Sequence, residues 1–242
     1  MNNEAVQILD IPFVNKTKDD IVNDLYNQYL KEEKKAFVVT ANPEIVMHAR
    51  ADTDYLYTLS KADYIIPDGI GVVIASRLKK QPLIERVPGF ELMEELLALS
   101  NEHPIRVYIV GAKPEVLEKA VVNVKKKYPN LHLVGYHHGY FEDDNEEIIH
   151  EIQESEPDLV LVALGFPRQE KWIKDNMTRV RKGVFIGVGG SIDVLAGHVK
   201  RAPVIWQKVH LEWFYRLLQQ PSRWRRMVVL PQFIFHVLKS RG

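Results

Sequence analysis

Apolar positions in the first 197 residues fall into two alternating patterns. Short runs rich in Val, Ile, Leu and Phe, apolar at nearly every position, predict strands covered on both faces, and the amphipathic stretches between them predict helices. The strands are expected at Phe37 to Thr40, Tyr64 to Ile66, Ile105 to Val110, Leu131 to Gly135, Asp158 to Leu164 and Val184 to Val188. Helix starts follow directly. Asn42-Pro43-Glu44 supplies a cap, a proline suited to the first helical position and an acid for the positive helix end, so a helix is expected from Pro43 to about Ser60. PDGIGVVIASRL turns into another, GAKPE opens one reaching about Tyr128, and the acidic stretch near Asp143 opens one more. Strands separated by helices predict an α/β fold, a mostly parallel sheet with helices on both faces.

The rhythm ends at Gly197. Two helical stretches, about Pro203 to Gln220 and Ser222 to Ser240, are parted by Pro221, and Pro231 is expected to kink or interrupt the second. This divides the chain into an α/β domain over 1–197 and a C-terminal helical appendage over 198–242.

Composition sharpens the division. Among 242 residues, Lys and Arg balance Asp and Glu at 32 each, yet residues 198–242 hold nine bases against the single acid Glu212, a net +8 that leaves −8 for the rest. Trp206, Trp213 and Trp224 lie in the same segment. That asymmetry points to an anionic partner, nucleic acid or anionic lipid, and tryptophans and aliphatics interleaved with the arginines favour lipid. The absence of cysteine excludes thiolate nucleophiles and Cys-ligated metal, and fits a cytoplasmic setting. No run is long and apolar enough to span a membrane, and MNNEAVQILD has no signal-peptide pattern, so a peripheral protein is expected.

Polar and glycine residues gather at the carboxyl ends of the predicted strands, where parallel sheets bind ligands. Thr40 and Asn42, Asp68 and Gly69, Gly111, Gly165 and Gln169, and Gly189, Gly190 and Asp193 follow five strands in turn. Singly, each reads as a cap or turn former; together they suggest a site. GVGGSID and DGIGVV are partial glycine fingerprints only, and no GxxxxGK[ST] occurs. Asp52 and Asp54 fall inside a predicted helix, about 200° apart around its axis, which argues against one shared ion. His137-His138 reads as a polar loop. In the appendage, Arg223 and Arg226 are three apart, and a bend at Pro221 brings Arg216 towards them, a grouping suited to phosphate.

The strings TANPEIV, ADYIIPDGIGVV, ERVPGFEL, GFPRQEKW and GVGGSIDVLAG, with RAP and the Trp-rich basic tail, closely resemble the WecG/TagA/CpsF family of bacterial glycosyltransferases, along nearly the whole chain. The tail looks most like the wall teichoic acid branch, whose members move N-acetylmannosamine from UDP to undecaprenyl-diphosphate-linked N-acetylglucosamine, forming a β1,4 bond. The resemblance implies a Rossmann-like domain, inversion without metal or cofactor, a membrane-associating appendage that completes the site on the inner face of the cell membrane, and a homo-oligomer. It makes Asp68 the base, with Thr40 and Asn42 beside it, Arg86 a ligand for acceptor or leaving-group phosphate, Gln169 a donor contact, and Arg216, Arg223 and Arg226 diphosphate ligands. A relative using a glucose- or uronic-acid-type UDP donor, and a non-catalytic UDP-sugar-binding membrane scaffold, stay open alternatives. Nucleic acid is not an expected partner.

Overall fold

The computed structural model describes residues 5–141, 146–208, 211–219 and 224–240. Its centre is a six-stranded, all-parallel sheet in the order β4-β3-β8-β7-β5-β6, with β3 at Lys35–Ala41, β4 at Tyr64–Pro67, β5 at Arg106–Gly111, β6 at His132–His137, β7 at Leu159–Ala163 and β8 at Gly183–Gly187. Five strands are covered on both faces, so alternate residues of one strand serve different layers. Phe37 and Val39 of β3 join Val160, Val162 and Phe185 on one side; Val38, Leu159, Leu161 and Ile186 face the other.

The first layer contains α2 (Pro43–Ala51), α3 (Thr53–Leu59), α4 (Ile70–Leu78), α7 (Glu146–Ser155) and α8 (Arg168–Asn176). The second contains α1 (Lys18–Asp24), α5 (Gly89–Ala98), α6 (Pro114–Lys127) and α9 (Ser191–Leu195). An N-terminal hairpin of β1 (Ala5–Ile8) and β2 (Ile11–Val14) adds Val6, Ile8, Ile11 and Phe13 to the first core. Its two-residue turn, Leu9-Asp10, has positive φ at both positions, the geometry that matches strand twist in tight hairpins.

Three sequence expectations are corrected. The helix expected from Pro43 to Ser60 is two helices: Asp52 is extended, its carboxylate accepts the Tyr55 N–H at 2.9 Å, and it caps α3. The stretch from Pro203 to Gln220 is likewise broken, into α10 (Val204–Lys208) and α11 (Glu212–Gln219), with Leu211 outside both. The final helix, α12 (Trp224–Lys239), continues through Pro231 without interruption. Proline forfeits one backbone hydrogen bond, and packing offsets that loss. Phe233 and Val237 are fully buried, and α12 lies against α2 and α4. Each such side chain contributes about 1.5–3 kcal/mol of burial.

At the amino ends of β3, β7 and β8, Lys182 Nζ bonds Asp158 Oδ1 at 2.7 Å and Glu33 Oε1 at 2.9 Å, and Arg181 bonds Glu33 and Glu156. Hydrogen bonds from Lys182 and Arg181 pull the Glu33 carboxyl from 4.5 down to about 2. A depressed carboxyl stabilises the fold above its unfolded-state pKa, and that contribution disappears as pH falls through the folded value. Glu33→Gln is therefore expected to be less stable than wild type at pH 7, with the gap closing between pH 4.5 and 2, as read by urea unfolding across that range. An equal gap at both ends would contradict the assignment.

Candidate functional site

Parallel register brings the loops after β3, β4, β7 and β8 to one edge, because Ala41 pairs with Pro67, and Gly187 pairs with both Val39 and Val162. A cleft of about 620 Å³ opens there. Thr40, Asn42, Asp68, Arg86, Gly165, Gln169, Gly189 and Gly190 all line it, together with Pro88, Gly89, Phe90, Glu212, Trp213 and Leu230.

The packing around Asp68 explains the glycine pattern. Its N–H donates to the Ala41 carbonyl at 3.1 Å, its Oδ1 accepts the Gly89 N–H at 3.1 Å, and its main-chain oxygen accepts Arg86 Nε at 2.8 Å. The Val87 N–H also meets the Pro67 carbonyl, so residues 86–89 run tightly against the end of β4. A β-carbon on Gly89 would lie 2.8 Å from Thr40 Cγ2, while Thr40 Oγ1 donates to the Gly187 carbonyl at 3.0 Å. The two glycines of PDGIG have the same cause: a β-carbon on Gly69 or Gly71 would stand 2.7 Å from Pro43, and on Gly71 also 2.7 Å from Leu230 of α12. These glycines admit neighbours that a methyl group would push away.

Among the helices that begin at the cleft are α2, α4, α5, α8 and α9. Asn42 Oδ1 caps α2 by accepting the Glu44 and Ile45 N–H groups, and Asp68 occupies the Gly89 N–H of α5. The starts of α4 and α8 carry no side-chain cap, which leaves positive helix ends directed at the opening. Arg86 adds a guanidinium, which Glu212 of α11 meets at 3.2 Å with both side chains mostly covered. Arg201 lies 4.0 Å from the other oxygen of Glu212, pairs with Glu91 and Glu94, and stacks over Phe90 at 5.0 Å.

Beneath the opposite wall, Gln169 Nε2 donates to Glu170 Oε1 at 2.7 Å, and Gln169 Oε1 accepts the Gly189 N–H at 3.1 Å. Burial pushes the Glu170 carboxyl up from its ordinary value. Tyr55 lies close enough to feel that group, but neither Tyr55 Oη nor Glu170 Oε2 completes a hydrogen bond of good geometry.

Other expected residues stand apart. Gly111, at the end of β5, lies against the Ala163 backbone, and Asp193, in α9, accepts the His198 and Val199 N–H groups with its carbonyl; neither lines the cleft. Arg223 lies outside the described residues. Arg216 and Arg226 fall within α11 and α12, where only their backbone is described. Asp52 caps α3 while Asp54 lies within it, and among the described residues no three His, Asp or Glu side chains gather in a metal-binding group. Sequence reasoning did not bring Glu212, Trp213 and Leu230 to this site. Only Glu212 carried a signal, as the single acid of the basic segment.

A parallel α/β sheet carries this cleft at its carboxyl edge, with the Asp68 carboxylate and the Arg86 guanidinium, which bonds the Asp68 main-chain oxygen, on one wall, the place where α/β proteins bind ligands. The model of the "Glycosyl transferase WecG/TagA/CpsF family" matches residues 6–242, and the chain belongs to that family. Among its relatives, the N-acetylglucosaminyldiphosphoundecaprenol N-acetyl-beta-D-mannosaminyltransferase of Bacillus subtilis (strain 168) is 41% identical over 96% of this chain and 91% of its own length. The proteins of the same name from Bacillus spizizenii and Staphylococcus aureus (strain MW2) are 42% and 39% identical, each over 99% of this chain and over 92% and 94% of their own lengths.

Gly89→Ala tests the packing. The added methyl displaces Thr40 or residues 86–89, so the variant is expected to lose about 1–3 kcal/mol of stability in urea unfolding. Turnover should fall further than the folded fraction does. Wild-type stability and rate together would contradict the close approach.

Proposed function

We propose that the chain is an inverting glycosyltransferase that moves N-acetylmannosamine from its UDP donor to the 4-hydroxyl of N-acetylglucosamine on undecaprenyl diphosphate, in wall teichoic acid linkage-unit synthesis. The observation that carries this reading is the Asp68 peptide, which joins a carboxylate and the Arg86 guanidinium at one wall of the cleft. The names and near full-length similarity of the relatives support it.

The acceptor oxygen forms a bond to the anomeric carbon of the donor as the bond from that carbon to the UDP oxygen breaks. The hydroxyl proton passes to Asp68, and UDP departs carrying the electron pair. Charge developing on the leaving diphosphate falls where the uncapped start of α4 and Arg86 converge. Phosphate displaces Glu212 from Arg86, one anionic partner taking the place of another. Thr40 and Asn42 hold the loop beside the base, and Gly165, Gln169, Gly189 and Gly190 form the donor wall.

In this reading residues 1–197 supply the chemistry and residues 198–242 complete the wall through Glu212, Trp213 and Leu230. Arg216, Arg223 and Arg226 meet the acceptor diphosphate. Among the described residues no helix is long and apolar enough to cross a membrane. Ile205, Phe214, Leu218, Val228, Phe235 and Leu238 expose apolar side chains within the basic segment, which suits seating on an anionic leaflet at the cytoplasmic face.

The test is UDP release by purified protein given lipid-diphosphate N-acetylglucosamine and a panel of UDP-sugars. Release is expected with UDP-N-acetylmannosamine and to depend on acceptor, and Asp68→Asn is expected to lower turnover by about 10²- to 10⁴-fold with an unchanged fold. A near wild-type rate in that variant would reject Asp68 as base; preference for another sugar would reassign the donor.

A further inference from the structure

We propose that Glu170 is a positioning residue for the donor wall, acting through Gln169 on the turn at Gly189. The inference rests on reading the cleft as a nucleotide-sugar site.

Glu170 is fully buried in the first turn of α8, and among the described residues no cation pairs with it. Such a carboxyl is a poor choice for stability, since an apolar side chain of similar size avoids its desolvation. What it does supply is an acceptor. With Oε1 receiving the Gln169 amide nitrogen, the Gln169 oxygen is turned towards the Gly189 N–H. The reversed amide would set one N–H against another, so the acceptor at residue 170 selects the orientation. Gly189 has φ +48, and its turn carries the chain from β8 along the cleft into α9. Gly187 closes the arrangement: a β-carbon there would lie 2.7 Å from Gln169 Nε2 and 3.3 Å from Glu170 Oε1. Charged or neutral, the Glu170 carboxyl keeps an oxygen that accepts from Gln169, so the function needs an acceptor rather than a charge.

Three variants separate positioning from support of the fold. Glu170→Gln retains an acceptor and is expected to bind UDP within about twofold of wild type. Glu170→Met retains length and bulk with only a weak thioether acceptor; it is expected to stay folded, yet to show about tenfold weaker UDP binding by calorimetry and a donor KM raised by a similar factor, with little change in kcat. Amide exchange at Gly189 should quicken in the same variant. Should Glu170→Met fail to fold, Glu170→Asp, which withdraws the acceptor by one methylene, is expected to raise KM where Glu170→Gln does not. Wild-type UDP affinity and Gly189 protection in folded Glu170→Met, or equal impairment of the Gln and Met variants, would overturn the inference. If Gln169→Ala weakens UDP binding while Glu170→Met does not, the inference fails and the cleft reading survives. Absence of UDP binding by wild type would remove that reading and the inference with it.

Discussion

Asp68 is held at the cleft by hydrogen bonds that include those to the Ala41 carbonyl, the Gly89 N–H and the Arg86 guanidinium, and that constraint organises the surrounding sequence. Residues 86–89 can run close enough to supply two of those bonds only because Gly89 has no side chain to meet Thr40. Pro43 caps the approach from another side and requires glycine at 69 and 71. The motif residues thus form one packed unit that holds the carboxylate, the guanidinium and an uncapped helix start in fixed relation. Under the proposed function such an arrangement suits an anionic leaving group, because donors already aimed need no reorganisation as charge develops.

Charge distribution makes sense in the same frame. The segment from residue 198 onwards is strongly basic, and its single acid is the residue that reaches Arg86. Under the proposed function, phosphate would take the place of this carboxylate beside Arg86, and that exchange would couple the C-terminal helices to occupancy of the cleft. Burial of Phe233 and Val237 against α2 and α4 fixes α12 to the same helices whose starts border the site.

Much of the sheet was legible in the sequence, because a strand covered on both faces reads as an unbroken apolar run. The expected strands β3 to β8 agree with those observed to within two residues at either end. The rim was legible for a related reason: caps and glycines must follow parallel strands where helices begin. Elsewhere local signals were weak or ambiguous. The hairpin turns on Leu9-Asp10, without the glycine that usually marks such a turn. The break at Asp52 has the polar pattern of continuous helix, and only its carboxylate, capping the Tyr55 N–H, starts a new one. Gly111 followed the same rule as Gly165, but β5 lies beyond the strands that floor the cleft. The contacts of Glu212 and Leu230 join residues more than a hundred positions apart, and no local pattern reports them.

The most direct measurement is calorimetric binding of uridine, UMP and UDP to wild type and to Arg86→Ala. If the Asp68 peptide and its arginine form a diphosphate cradle, wild type gains affinity with each added phosphate, while the variant binds uridine equally well and loses most of the gain shown by UDP. Equal affinity of wild type for uridine and UDP, or undiminished UDP binding by the variant, would contradict it.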